Sequence, residues 1–387
     1  MTRVLLAAGL AAAVAFGAWF FVFRSSDDPH RIWVGALEDS VKLPEPDLAD
    51  QRVQLAKRAG FDTLNITTPW APGQTGPDET ELSVLRNVER ATKRQGIRLL
   101  VTVYHLQNRD TPDTDEEQQQ FAEHVATLAR DLPSVRYFVI GNEPNLNRFW
   151  LPQFDESGQD VAAPAYTSLL ARIYDSLKAV SPLIKVVGGS LSPRGDDNPA
   201  APRHTQSPTV FIRDMGKAYR ASGRTKPIMD LFAIHPYLER SSIPPTRRHT
   251  GTSIGIADYE KLVDLLGEAF DGTAQLGSKL PIAYTEFGVQ SMIPESAQGP
   301  YTNLQSPLGL DAVDEATQAD YYRQAFELAA CQATVVGLVI FHLNDEADLN
   351  RWQSGPYYAD GTPKTSLAAI RDAASKARRG KLPSCPD

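Results

Sequence analysis

Apolar residues along this chain fall into two alternating patterns. Short, nearly continuous runs lie at Ile32 to Leu37, Thr63 to Thr68, Ile97 to Tyr104, Tyr137 to Gly141, Ile184 to Gly188, Met229 to Ile234, Pro281 to Thr285 and Val335 to Phe341. Such runs predict buried strands. Between them apolar positions recur three and four residues apart. Helices are therefore predicted over Asp50–Ala59, over Glu81–Arg94 with Leu82, Leu85 and Val88 inward, and after Asp113–Glu117 with Phe121, Val125 and Leu128 on one face. The same spacing predicts helices over Tyr166–Val180, Val210–Tyr219, Tyr259–Phe270, Gln318–Ala330 and Thr365–Ala374.

The result is eight strand–helix units in strict alternation. Strands that are apolar throughout belong to a parallel sheet covered on both faces. The predicted fold class is α/β, a closed (β/α)8 TIM barrel over residues 32–376, with a tail at 377–387. An open doubly wound sheet is the alternative, but it needs a glycine-rich phosphate turn after the first strand. Leu37-Glu38-Asp39-Ser40 supplies none. Long connections follow strands four to eight, among them Leu146 to Ala163 and Gln290 to Glu315. In a barrel these shape the rim at the C-terminal ends of the strands.

Ahead of the barrel, Val4 to Phe23 carries no charge and is flanked by Arg3 and Arg24. It is long enough to cross a bilayer as a helix. Residues 1–24 are thus expected to form one N-terminal hydrophobic helix, followed by a linker at 25–31. One reading is a signal peptide cut near Ala13-Val14-Ala15. The other is an uncleaved membrane anchor, favoured by the continuing run from Trp19 to Phe23. Either leaves the barrel outside the cytoplasm, anchored to the membrane or secreted.

Charge narrows the partners. With 39 Lys and Arg against 47 Asp and Glu, the net charge of -8 is mild and no basic block occurs. Nucleic acid is disfavoured, and an acidic substrate is not favoured either. No His, Cys or Asp cluster has metal-ligand spacing, and no cofactor is expected. The cysteines are Cys331 and Cys385. They either staple the tail to the helix carrying Cys331 or remain one buried and one loose thiol.

Two predicted strands end alike. Tyr137-Phe138-Val139-Ile140-Gly141 runs into Asn142-Glu143-Pro144-Asn145, and Pro281-Ile282-Ala283-Tyr284-Thr285 runs into Glu286-Phe287-Gly288. A lone glutamate is most often solvated. Glu143 and Glu286, closing strands four and seven of a barrel, would face each other across one rim. A carboxylate pair there suits glycosidic bond cleavage: one holds a proton for the leaving oxygen, the other attacks the anomeric carbon or activates water.

At these residues the sequence resembles the retaining (β/α)8 glycoside hydrolases of clan A. Asn142-Glu143-Pro144 and Thr285-Glu286-Phe287-Gly288 carry the resemblance, and Gly141 to Leu146 is most like family 39 within the group that includes the family 5 cellulases. The resemblance implies Glu143 as acid/base, Glu286 as nucleophile and Asn142 as a ligand of the sugar 2-hydroxyl. It also implies that His235 and Tyr237, ending strand six, position the nucleophile and a substrate hydroxyl. The substrate would be a β-linked oligo- or polysaccharide. A barrel that kept the cleft and lost turnover is the competing reading.

Further candidates are His105 at the end of strand three, and Trp70, Trp150 and Trp352 as platforms for sugar rings. His342 is as readily packing as site. Trp33 reads as core, and Tyr284 as barrel filling. The acidic loop of Asp345, Glu346 and Asp348 reads as solvated, with a cationic sugar as its other use. Two departures from the family pattern stand out. Phe341-His342-Leu343-Asn344 occupies the place of the usual strand-eight tryptophan, whose role could pass to Trp352, and no arginine marks strand two. Asp360-Gly361-Thr362-Pro363-Lys364 resembles the turn into the last barrel helix.

Overall fold

A computed structural model describes residues 29–306, 311–382 and 385. The predicted N-terminal helix lies outside them. Among the described residues no helix is long and apolar enough to cross a membrane.

Eight strands form one closed parallel barrel in sequence order. They are β1 (Trp33–Leu37), β2 (Thr63–Trp70), β3 (Arg98–His105), β4 (Tyr137–Ile140), β5 (Lys185–Leu191), β6 (Leu231–Ile234), β7 (Ile282–Tyr284) and β8 (Val335–Phe341). The last pairs with the first, from Trp33 beside Gly337 to Leu37 beside Phe341, which excludes the open sheet. The outer layer is α1 (Pro46–Arg58), α2 (Glu79–Gln95), α3 (Asp115–Asp131), α4 (Ala162–Val180), α5 (Pro208–Ala221), α6 (Tyr259–Phe270), α7 (Glu315–Cys331) and α8 (Leu367–Arg379).

Several helix ends are written in the sequence. Asp78 caps α2 by accepting from the Glu81 N–H, and Gly96 closes it in the left-handed region. Thr114 and Glu117 form a reciprocal capping box on α3. Pro46 and Pro208 open α1 and α5, where no backbone N–H is needed. α1 therefore starts earlier than predicted, and α8 runs past 376 to a left-handed cap at Gly380.

Burial divides the apolar residues into two cores. The larger lies between sheet and helices. The smaller fills the barrel, with Trp33, Leu37, Leu100, Val139, Val187, Ala233, Ala283 and Val339 facing inward. Trp33 is core, as the sequence suggests. Gly337 makes its room, since a Cβ there would fall 1.9 Å from the indole. Tyr284 is buried on the other side: it packs in the outer core and donates to Gln332 Oε1 at 2.6 Å. It does not fill the barrel, because alternation along β7 points Ala283 inward instead.

Cys331, ending α7, is bonded to Cys385, which settles the open pairing in favour of the staple. Nearby, His30 donates its backbone N–H to Ala330 O at 2.8 Å, tying the chain before β1 to the same helix.

Candidate active site

β6 aims the central residue. Leu231 and Ala233 face inward, so alternation carries His235 inward as well, and its N–H donates to Leu191 O. The His235 ring is buried. Its Nδ1 stands 3.2 Å from Glu143 Oε1 and 3.5 Å from Glu286 Oε2. Tyr237, two residues on, donates its hydroxyl to Glu286 Oε2 at 3.1 Å. Glu143 and Glu286 thus share one neighbour and one space, although 143 positions separate them in the chain.

Parity along the strands does not deliver either glutamate. Glu286 would share the outward side of Tyr284 if β7 continued. The regular strand ends at Tyr284, and the chain turns the carboxylate back over the barrel. Glu143 follows Gly141 at φ 81°, and itself has φ 43°, a region few non-glycine residues occupy. Its N–H donates to Ser190 O at 2.9 Å, which fixes that backbone.

Ser190 is the site residue that sequence reasoning missed. It stands in a bulge of β5 between Gly189 and Leu191, with φ 53°. Its carbonyl holds Glu143, its Oγ lies 3.0 Å from His235 Nε2, and the Thr285 hydroxyl is 3.4 Å away. Gly189 permits the bulge: it has φ 93°, and a Cβ there would meet Ala233 O at 2.5 Å. The signal was present as Gly188-Gly189-Ser190 at a strand end.

Electrostatics follow from this packing. Burial pushes the Glu286 carboxyl up and the Glu143 charge adds to the rise, while His235 and the Tyr237 hydroxyl pull it back; the net is a raised value. Burial alone would lower the His235 imidazole. The Glu286 charge, and the hydrogen bond and charge of Glu143, outweigh it and leave the imidazole raised. Burial and the two carboxylates push the Tyr237 phenol up, so it remains a donor.

Aromatic rings wall one side. Trp352 is half-buried, 5.3 Å from Tyr237 and 5.6 Å from Phe341 between centroids. Its backbone N–H donates to Glu346 Oε2 at 3.0 Å. His342 reaches Leu37 O at 3.2 Å and lies 3.7 Å from Glu346. Its charge is among those that lower Glu286. The Asn142 amide is half-buried, and among the described residues no protein group hydrogen-bonds it.

Other candidates are placed elsewhere. Trp70 and Trp150 are each 1% exposed and offer no face to a sugar. Trp70 stacks on Phe121 and donates to Gln74 O, while Trp150 lies between His105 and Tyr166. His105 is buried against the Phe149 carbonyl, and burial pulls its pKa down to about 4. It acts as a neutral donor to the loop after β4. The acidic loop is not uniformly solvated either. Asp345 and Lys364 form a pair 2.8 Å apart with both side chains fully buried.

Neither family models nor curated proteins match this chain. Solved structures do. The GH39 enzyme from Xanthomonas axonopodis pv. citri matches at 14% identity and TM-score 0.55, over 89% of this chain and 66% of that one. GH5_18 from Streptomyces cattleya matches at 15% and 0.58, over 90% and 81%. A glucosidase from Croceicoccus marinus matches at 11% and 0.60, over 91% and 69%. The fold is that of the (β/α)8 glycoside hydrolases. The chain spans about two thirds of the Xanthomonas enzyme, and 52% of a GH2 β-galacturonidase from Eisenbergiella tayi that it also resembles.

Proposed function

We propose that this protein is a retaining glycoside hydrolase that cleaves a β-linked oligo- or polysaccharide by double displacement. One observation carries the reading: a single buried imidazole nitrogen lies within hydrogen-bonding or ion-pairing reach of both Glu143 and Glu286. Those two contacts put a ceiling of about 7 Å on the separation of these two carboxylate oxygens, which admits the ~5–5.5 Å of retaining pairs and leaves out most of the ~6.5–9.5 Å range of inverting ones.

In the first step Glu286 attacks the anomeric carbon while Glu143 gives its proton to the glycosidic oxygen. The leaving sugar departs as an alcohol and a glycosyl ester remains on Glu286. In the second step Glu143, now a carboxylate, takes a proton from water, whose oxygen attacks the same carbon and releases Glu286. Tyr237 and His235 hold the nucleophile on two sides. Asn142 has a free amide for a sugar hydroxyl, and Trp352 offers a ring face.

The test is a panel of β-linked aryl glycosides and polysaccharides, followed by NMR of the first anomer formed. Retention of the β configuration supports the reading; an α product opposes it. Glu286→Gln should lose activity by several orders of magnitude. Glu143→Gln should lose far more on poor leaving groups than on good ones, because good ones need little protonation. A Glu286→Gln enzyme as active as wild type would remove Glu286 from the mechanism.

A further inference from the structure

β3 brings one more polar group to the pocket. Leu100 lies in the inner core, while Val101 and Val103 lie in the outer one. Alternation therefore turns Tyr104 inward and His105 outward, so the residue that this strand end offers the pocket is the tyrosine. The Gly141 N–H donates to Val103 O at 2.9 Å, which sets Tyr104 beside the strand leading to Glu143. In the closed strand order β3 stands across the barrel from β7, and the Glu286 charge reaches the Tyr104 phenol. Tyr104 is half-buried, not sealed.

Its other neighbours come from the ends of β1 and β2. Asp39, two residues past the inward Leu37, accepts the Thr67 N–H at 2.8 Å and the proton of the Thr67 hydroxyl. Lys42 Nζ lies 3.8 Å from the same carboxylate. The Thr67 side chain is also the hydrogen-bond partner of Tyr104. A hydroxyl has one proton to give. Thr67 gives its proton to Asp39, so towards the phenol it is an acceptor. Burial and the charges of Asp39 and Glu286 push the phenol up, against the pull of Thr67 and Arg148, so it keeps the proton that this bond needs. The direction of donation is thus fixed from Tyr104 to Thr67 to Asp39. The phenol oxygen retains lone pairs and has no second proton to offer.

We infer that Tyr104 binds substrate: its phenol oxygen accepts a hydrogen bond from one sugar hydroxyl across the pocket from Glu286, and Thr67 and Asp39 are positioning residues that fix its polarity. This rests on the pocket being a carbohydrate site as proposed above. Such a site selects a hydroxyl at one ring position and rejects a substituent that can only accept.

The test uses the full chain and the aryl β-glycoside it cleaves best, with monodeoxy and monofluoro analogues at C3, C4 and C6. At one position wild type should lose about tenfold in kcat/KM without the hydroxyl, and fluorine, which cannot donate, should not restore it. Tyr104→Phe should lose about as much on the parent sugar and stay within about twofold of wild type on that deoxy analogue. In Asp39→Asn the amide donates to Thr67, which turns the Thr67 proton to the phenol and frees the phenol proton. The ratio of fluoro to deoxy activity at that position should then rise in Asp39→Asn alone; fluorine's inductive effect is common to all variants and cancels. Equal losses by Tyr104→Phe on the parent and every analogue, or fluorine replacing the hydroxyl in wild type at the position Tyr104→Phe affects, would overturn the assignment. Should nothing turn over, calorimetry with methyl β-glucoside, β-xyloside and β-mannoside and their deoxy analogues decides. Binding that needs one hydroxyl and loses that need in Tyr104→Phe supports Tyr104 while opposing hydrolysis. No binding, or binding indifferent to both changes, overturns Tyr104 as well.

Discussion

Glu286 has a hydroxyl on one side and an imidazole on the other, and its side chain is 14% exposed. That setting decides its ionisation. Burial lifts it above the ordinary 4.5, and the His235 charge restrains the rise. In the proposed mechanism Glu286 attacks as a carboxylate, so activity should fall on the acid side at a pH above the ordinary glutamate range. Replacing His235 by Asn removes the restraining charge. The acid limb of kcat/KM should then move to still higher pH, as well as dropping in height. A limb that stays in place or moves down would mean His235 does not hold charge beside Glu286. Tyr237 reinforces the same anion by hydrogen bonding.

At the scale of elements, the loops after β7 and β8 are locked to each other from below. Lys364 donates to Asp345 Oδ1 and Ser291 Oγ, each at 2.8 Å, and Tyr301 donates to Asp345 Oδ2 at 2.7 Å. Burial pushes Asp345 up to about 6, against the pull of Lys364. Lys364→Met should leave that carboxylate buried and unpaired, and cost about 3–5 kcal/mol in urea unfolding. Lys364→Met with Asp345→Leu should recover much of it. A single variant within about 0.5 kcal/mol of wild type would show the pair to be dispensable.

Much of this architecture was legible in the sequence, because strands apolar on both faces and helices with one apolar stripe leave few ways to close. The glutamates were legible because each follows such a strand. What stayed hidden depended on contacts across the barrel. Nothing in the spacing distinguishes Trp352, half-exposed beside Tyr237, from Trp150, enclosed by His105 and Tyr166. Period-two reasoning placed Tyr284 on the wrong side and could not follow the chain past the end of β7. The Ser190 bulge needed the register of β5 on β6 to be seen.

Taken whole, the barrel separates stability from chemistry. Its outer core and sealed lower layers carry the fold, and reactive groups gather where the strands end. The Cys331–Cys385 bond stands apart from Glu143 and Glu286, closing a loop over a sequence separation of 54. Reducing it should lower stability by about 2–4 kcal/mol through the unfolded chain, while kcat at moderate temperature is unchanged. Parallel loss of activity and stability would tie the tail to the site. The account as a whole depends on Glu286 bonding to sugar carbon. The most direct measurement is mass spectrometry of enzyme incubated with an activated 2-deoxy-2-fluoro glycoside of a sugar it accepts. The predicted result is one added glycosyl mass on the peptide holding Glu286, absent in Glu286→Gln. A label on another residue, or steady turnover with no covalent adduct, would contradict it.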